Sequence, residues 1–282
     1  MHPANRIAVA VGLEDTSATL DELHRLDGSI GLAEVRLDLM KEFDLDRLIA
    51  ESPCPLIVTC RPLREGGSFA GAETERLEIL GRASALDCAF VDIEWDAISE
   101  FRNKGSSTRI IISRHFHESM PADLKVRYST MRSQADAVKL VGYAHQIADT
   151  IAMVELITKA DSPVIAIAMG PSGLMTRLIA PCFDACLLTY AAGRTGTGTA
   201  PGQITVSEMI NRFGVDRVNA DTRISIHLYT NPAQEAAVIA GCRGNGSQLH
   251  VPVMVNAAQI DPVSKALSRL NSRISVSLYC PA

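Results

Sequence analysis

No stretch of this chain approaches the run of about 18 consecutive apolar residues that a membrane span requires. Its opening, Met1-His2-Pro3-Ala4-Asn5-Arg6, has no apolar segment of the kind that directs secretion. A cytoplasmic protein without a membrane partner is the expectation. No basic run interrupts a net charge of −5, which argues against nucleic acid as the main partner. The seven cysteines (Cys54, Cys60, Cys88, Cys182, Cys186, Cys242 and Cys280) are scattered and mostly sit inside apolar runs, which fits buried thiols better than disulfides. Cys182 and Cys186 have no second pair at ligand spacing, so no zinc site is expected. There is no HExxH, paired-histidine or clustered-carboxylate motif with metal-ligand spacing and no P-loop. Neither a metal nor a nucleotide cofactor is expected, and a small molecule is the expected partner.

What the chain does have is enough apolar residue for a full core, 47% of 282 residues. Short apolar runs recur at Arg6–Gly12, Leu32–Asp38, Leu56–Arg61, Ala89–Trp95, Arg109–His115, Ala137–Tyr143, Val164–Gly170 and Ala185–Ala192. Amphipathic stretches such as Thr74–Leu86, Pro121–Arg132, Gln146–Lys159 and Pro171–Ile179 lie between them. Strands alternating with helices, about 25 residues apart, indicate a parallel sheet, and eight such units indicate an α/β fold of the (β/α)8 TIM-barrel type. An open doubly wound sheet is the alternative.

Several strands alternate charged and apolar positions. Glu34, Arg36 and Asp38 share one face against Val35 and Leu37, while Asp92 and Glu94 share one against Val91, Ile93 and Trp95. In a barrel the outer face packs on helices, so the charges point inward, with Thr59, Arg61, Ser113 and His115 beside them. The competing reading is an antiparallel sheet with one wet face.

Of the six lysines, only Lys139 falls inside an apolar strand, Ala137-Val-Lys-Leu-Val-Gly-Tyr143. At an ordinary pKa near 10.4 roughly one lysine in 2,500 is a neutral amine at pH 7, whereas burial beside cations frees a useful fraction to attack a carbonyl. A structural ion pair with Glu34, Asp92 or Glu94 is the other reading of this residue. His115 ends the neighbouring strand with a side chain that titrates near neutrality, as a general acid and base must. His117 falls in the following loop, where a solvated surface histidine is expected. Arg36, Arg61 and Arg177 converge on the same end of the barrel, and guanidinium groups there suit a carboxylate or hydroxyl-rich substrate. The glycine-rich stretch from Gly193 to Gln203 reads as a lid, with Thr199 and Gln203 available for hydrogen bonds.

Taken together, Glu34-Val-Arg-Leu-Asp38, Thr59-Cys-Arg61 with Glu65-Gly-Gly67, Val91-Asp-Ile-Glu94, Ser113-Arg-His115, Val138-Lys139, Met169-Gly170 with Arg177, and Ala200-Pro-Gly-Gln203 resemble type I 3-dehydroquinate dehydratase over about residues 6–213. The resemblance implies a (β/α)8 barrel, a homodimer, and the shikimate-pathway elimination of water from 3-dehydroquinate to give 3-dehydroshikimate. It casts Lys139 as the Schiff-base lysine and His115 as general acid and base, with Glu65 and Asp92 orienting and tuning that histidine. Arg177, Gln203 and Thr199, the last where the family commonly has serine, would contact the carboxylate and the lid. Glu34, Arg36 and Arg61 would hold the ring hydroxyls, and Met169 and Tyr190 would line the pocket. Two departures stand out. Phe116 follows His115 directly where the family commonly inserts Asp or Asn, and the segment Gly193–Thr199 is longer than usual.

From position 215 onward the pattern changes to β-α-β-α-β: Arg223–Thr230, Ala233–Ala240, His250–Val255, Pro262–Leu270 and Arg273–Tyr279. The expected organisation is a barrel over residues 1–214 and a small C-terminal α/β appendage over 215–282. Gly241-Cys-Arg-Gly-Asn-Gly246 lacks a helix-opening pattern and a downstream ribose acid, so no dinucleotide site is expected there. Thr222-Arg-Ile-Ser-Ile, Asn231-Pro and His250-Val-Pro-Val-Met faintly resemble the opening of a shikimate dehydrogenase module. Its serine-rich substrate motif and lysine are missing, so no dehydrogenase activity is expected. Two other functions remain: a class I aldolase-type barrel acting on a sugar phosphate, against which the lack of an evident phosphate site counts, and a ligand-sensing barrel without turnover.

Overall fold

A computed structural model describes residues 5–279 except Lys104, 194–198 and Arg243. In chain order the first part runs β1 (Ile7–Val11), α1 (Thr16–Leu26), β2 (Leu32–Arg36), α2 (Leu45–Glu51), β3 (Leu56–Thr59), α3 (Glu73–Ala85), β4 (Phe90–Glu94), β5 (Arg109–Phe116), α4 (Leu124–Met131) and β6 (Ala137–Tyr143). It continues with α5 (Ile151–Lys159), β7 (Val164–Met169), α6 (Leu174–Ile179), β8 (Thr189–Ala191) and α7 (Val206–Asn211). All eight strands pair in parallel, in the order β7-β6-β5-β4-β3-β2-β1-β8. The ring closes where Val164 bridges Cys186, its N–H donating to Ala185 O at 2.7 Å while its carbonyl accepts from Leu187 N at 2.9 Å. This is a (β/α)8 barrel, and among the described residues a run of turns stands where a helix would follow β4.

Three of the helices begin at side-chain caps. Asp15 accepts from Ala18 N at the start of α1, Asp44 from Arg47 N at α2, and Thr205 exchanges hydrogen bonds with Glu208 in a capping box at α7.

Two separate apolar clusters follow from the period of two along each strand. One fills the barrel interior with residues such as Leu32, Ile57, Phe90, Ile111 and Ile165. The other lies between strands and helices and includes Val35, Val58, Val91, Ile93 and Leu140. One pleat above the interior floor, the same inward positions carry Glu34, Thr59, Asp92, Ser113 and Lys139, all buried. Polar residues facing inward above an apolar floor leave only the C-terminal end of the barrel for a site.

Most strand limits fall within a residue or two of the sequence expectation, and three differences bear on the site and on closure. β2 ends at Arg36, and Asp38 lies in a single 3-10 turn, Leu37–Leu39. From there it accepts the N–H of Arg61 at 2.9 Å and of Ser68 at 3.0 Å, contacts a continuing strand would have forbidden. β3 ends at Thr59, so Arg61 follows the strand rather than belonging to it. β8 is only three residues, because the 185–187 segment serves as the closing bridge.

Beyond the barrel come β9 (Arg223–Tyr229), α8 (Glu235–Gly241), β10 (Gln248–Met254), α9 (Ile260–Leu270) and β11 (Ile274–Leu278). They form a parallel sheet in the order β10-β9-β11. It packs on the barrel through α9 against α5 and β10 against α6, and Gln259 Nε2 donates to Gln146 Oε1 at 2.7 Å. Among the described residues, no helix is long and apolar enough to cross a membrane. The six described cysteines are unpaired, five of them buried and Cys54 partly so, while Cys280 lies outside the described residues.

Candidate active site

One pocket of about 560 Å³, measured to its open mouth, sits at the C-terminal end of the barrel. Eleven of the twelve residues singled out from sequence line it. The twelfth, Asp92, lies just beneath and holds the cation at its centre.

That cation is Lys139, only 4% exposed. Its Nζ lies 2.9 Å from Asp92 Oδ2, 3.0 Å from Glu34 Oε2 and 3.3 Å from Tyr190 Oη, over whose ring it sits 4.8 Å from the centroid. The surroundings are therefore mixed rather than purely cationic. Arg61 shares the carboxylates, with Nη2 at 2.8 Å from Asp92 and Nη1 at 2.7 Å from Glu94, and Ser113 donates to Asp92 Oδ1 at 2.5 Å. Burial works to raise the Asp92 and Glu34 carboxyls, but the neighbouring Arg61 and Lys139 prevail and hold both below the usual carboxylate range. Glu94 is pushed up by its burial, although Arg61 and Arg76 oppose this. For Tyr190, burial and then the charges of Glu34 and Asp92 raise the phenol well above its ordinary value, so it stays protonated.

His115 sits on the neighbouring strand. The register places Ser113 opposite Lys139 and His115 opposite Val141, so the histidine is on the same inward face one pleat, roughly 6.6 Å, nearer the mouth. Glu65, from the 3-10 turn Leu63–Glu65 after β3, accepts the backbone N–H of His115 at 2.7 Å and lies 3.1 Å from its Nδ1. The other Glu65 oxygen pairs with Arg114 Nη1 at 2.9 Å. With the ring proton on Nδ1 and shared with Glu65, Nε2 is the basic atom. Burial, then Arg61 and Lys139, hold His115 well below 6.5, so its neutral form prevails at neutral pH. Burial raises the Glu65 carboxyl to about 7 against the hydrogen bond from His115 and the charge of Arg114. Phe116 alternates outward to the helix layer, where Arg127 lies 5.0 Å from its ring centroid.

The glycines after Glu65 permit this arrangement. Gly66 has φ +75°, and a Cβ there would meet the His117 ring at 2.5 Å; a Cβ on Gly67 would fall 2.0 Å from Arg61 O. Two glycines thus let one turn carry Glu65 to His115 and pass close over Arg61.

The three arginines differ in their partners. Arg36 pairs with Asp38 at 2.7 Å and Arg61 with the buried carboxylates. Arg177 is 1% exposed, and no carboxylate pairs with it among the described residues. Its Nε and Nη2 have no hydrogen-bond partner, and Nη1 makes one long contact to Tyr190 O at 3.4 Å. Burial alone pulls it down to about 10. Thr199 N donates to Gln203 Oε1 at 2.8 Å at the pocket rim. The rest of the expected lid, 194–198, lies outside the described residues.

The sequence reading left Val141, Ile167, Gly66 and His117 out of the site, and all four line it. For two of these a period-two signal was available: Val141 is two residues past Lys139, and Ile167 two before Met169. His117 is exposed, as a loop residue should be, yet its ring stacks on that of His115 with centroids 5.9 Å apart and planes 12° from parallel. Among the described residues no cluster of three or more His, Cys, Asp or Glu is arranged to hold a metal ion.

Residues 7–219 match the family model described as type I 3-dehydroquinase. The chain is 32% identical over 225 residues to the 3-dehydroquinate dehydratase of Desulfotalea psychrophila, which covers 76% of this chain and 98% of that one. It is 33% identical over 205 residues to the chloroplastic bifunctional 3-dehydroquinate dehydratase/shikimate dehydrogenase of Arabidopsis thaliana. That match takes in 68% of this chain but 34% of the plant protein, so the chain spans about a third of this relative's length. The S. pombe structure of dehydroquinate dehydratase and shikimate dehydrogenase shares the fold with a TM-score of 0.64 at 21% identity, over 99% of this chain and 57% of that one.

Proposed function

The chain belongs to the type I 3-dehydroquinase family, enzymes that dehydrate 3-dehydroquinate in the shikimate pathway, and we propose that it does so through an imine on Lys139 with His115 as general acid and base. The observation that carries this reading is Arg177, a buried guanidinium that has no carboxylate partner among the described residues, in the same pocket as Lys139 and His115. A buried cation in that state is costly unless a ligand supplies the missing anion, and 3-dehydroquinate is a carboxylate.

In this reading the substrate carboxylate binds Arg177 with Gln203 and Thr199 at the rim. The substrate's hydroxyls meet Arg36, Glu34 and Arg61, while Met169 and Tyr190 wall the pocket. The Lys139 amine adds to the ketone and loses water, giving an iminium that draws electrons from the adjacent C–H bond. His115 takes that proton, held in orientation by Glu65, and the electron pair passes through the enamine to expel the hydroxyl. His115 returns the proton to the leaving oxygen, so one water departs, and a second water hydrolyses the imine to free the product and the amine. Asp92 holds Lys139 and Arg61 in place. No metal or cofactor enters these steps.

The same reading takes residues 1–214 as the catalytic barrel and 215–282 as an appendage without dehydrogenase activity. It also takes the protein to be a cytoplasmic homodimer, which sedimentation of the purified chain and cell fractionation test. For the chemistry, 3-dehydroquinate should give the absorbance of a conjugated product, and borohydride added during turnover should leave a substrate-sized mass on the Lys139 peptide. An unmodified Lys139 in an actively turning-over sample rules out the imine.

A further inference from the structure

Helix α6 is six residues long, Leu174-Met-Thr-Arg-Leu-Ile179, too short to be stable alone and without a side-chain cap. Yet five of the six residues are buried. One side belongs to the barrel: Thr176 Oγ1 accepts from Ala168 N at 3.0 Å, Arg177 O accepts from Thr189 Oγ1 at 2.9 Å, and the Arg177 guanidinium lines the pocket. The other side carries Met175, Leu178 and Ile179, each 1% exposed or less. A barrel helix ordinarily turns charged residues to water, but the only charged residue of α6 points inward.

What covers that outer side is the appended sheet. The apolar layer runs without a break from Met175, Leu178 and Ile179 to Leu228, Val251 and Val253. β10 packs on α6, and Arg273, just before β11, ties down the segment that follows the helix. Its Nη1 donates to Cys182 O at 3.1 Å and to Thr222 O at 3.2 Å, and its guanidinium lies 4.6 Å from the centre of the Phe183 ring. Among the described residues no anion holds Arg177, which would gain hydration by turning outward. The wall behind α6 closes that route.

We propose that residues 223–278 are the outer wall of α6 and act, through that helix, to position Arg177 for the substrate carboxylate. Arg273 is then a positioning residue 96 positions away in sequence. The proposal rests on the reading that Arg177 binds the carboxylate. The carboxylate and the departing hydroxyl share one carbon of 3-dehydroquinate, so loosening the wall weakens binding and misplaces the leaving group together.

The test is steady-state kinetics of the full chain with 3-dehydroquinate, for Arg177→Lys, Arg273→Ala and the double variant, together with urea unfolding. Arg273→Ala should raise KM about 3–10-fold, with kcat falling by no more than that factor, and should add little once Arg177→Lys is present. Val253→Ala, which thins the wall without touching a charge, gives the same readout should Arg273→Ala fail to fold. If the wall variants unfold more easily but keep the parent KM, while Arg177→Lys raises KM, the appendage only stabilises and the proposal is overturned. If Arg177→Lys itself leaves KM unchanged, the carboxylate reading fails and the proposal falls with it.

Discussion

Lys139 Nζ lies 2.9 Å from Asp92 Oδ2, so the amine assigned to imine formation is held before substrate arrives as the cation of a buried cluster that also includes Glu34 and Arg61. Of the two readings of this lysine that the sequence left open, the ion pair with Glu34 and Asp92 describes contacts in the fold, and the same side chain lines the pocket in which the imine is proposed to form.

Lys139→Ala should therefore lose two things at once. Product formation and borohydride trapping should vanish, and urea unfolding should show a loss of about 3–5 kcal/mol, because two buried carboxylates lose a partner. Glu34, held below 4.5 in the fold partly by Lys139, contributes stability that is present above its unfolded pKa and lost as pH falls through the folded one. In Lys139→Ala that acid-side loss should shrink. Lys139→Arg should recover most of the stability and none of the activity.

The pair formed by Glu65 and His115 sets the acid limb of the rate profile. His115 is held well below 6.5, whereas Glu65 is raised to about 7. Ionised Glu65 is the form that accepts the Nδ1 proton, so kcat/KM should fall as pH drops through about 7, and in Glu65→Gln that limb should disappear at a lower overall rate. Stability moves the other way. A carboxyl raised in the fold binds its proton more tightly there, so the parent should lose roughly 2–3 kcal/mol between pH 4.5 and 7 that Glu65→Gln keeps. Urea titrations at several pH values check the second part.

Arg177→Met should separate function from stability. Removing a buried cation without an anion should stabilise the ligand-free protein by about 1–3 kcal/mol, while KM rises about 10–100-fold for loss of a charge-assisted pair with the carboxylate. Unfolding midpoints and kinetics on the same preparation read both. A destabilised Arg177→Met would mean the guanidinium is satisfied in solution.

Gly67→Ala tests the turn that carries Glu65. The added Cβ would fall 2.0 Å from Arg61 O, a backbone atom that cannot step aside without moving the Arg61 cluster. We expect a loss above about 2 kcal/mol and a large fall in kcat. Retained activity and an unchanged unfolding midpoint would show that the turn is looser than drawn.

Much of the barrel was legible because each strand is buried on both faces yet alternates in chemistry. Val35 and Leu37 against Glu34 and Arg36, or Val91 and Ile93 against Asp92 and Glu94, give a period of two that only an apolar outer layer and a polar mouth satisfy together. The strand ends were not legible. Asp38 and Arg61 continue that alternation in sequence but leave the strands, because the Asp38 carboxylate caps the N–H groups of Arg61 and Ser68, which are distant in the chain.

By itself the sequence determined the fold class, the one lysine inside an apolar strand, and the set of side chains that face the mouth. These depend on local period and on residue chemistry. Tertiary structure alone decided what each side chain meets. It put carboxylates rather than only cations beside Lys139, brought Glu65 to His115 across 50 residues, and left Arg177 without an anion behind a wall supplied by the appended sheet. Such pairings depend on which atoms the closed barrel brings within a few ångströms of each other, and charge and burial at that range decide protonation and binding.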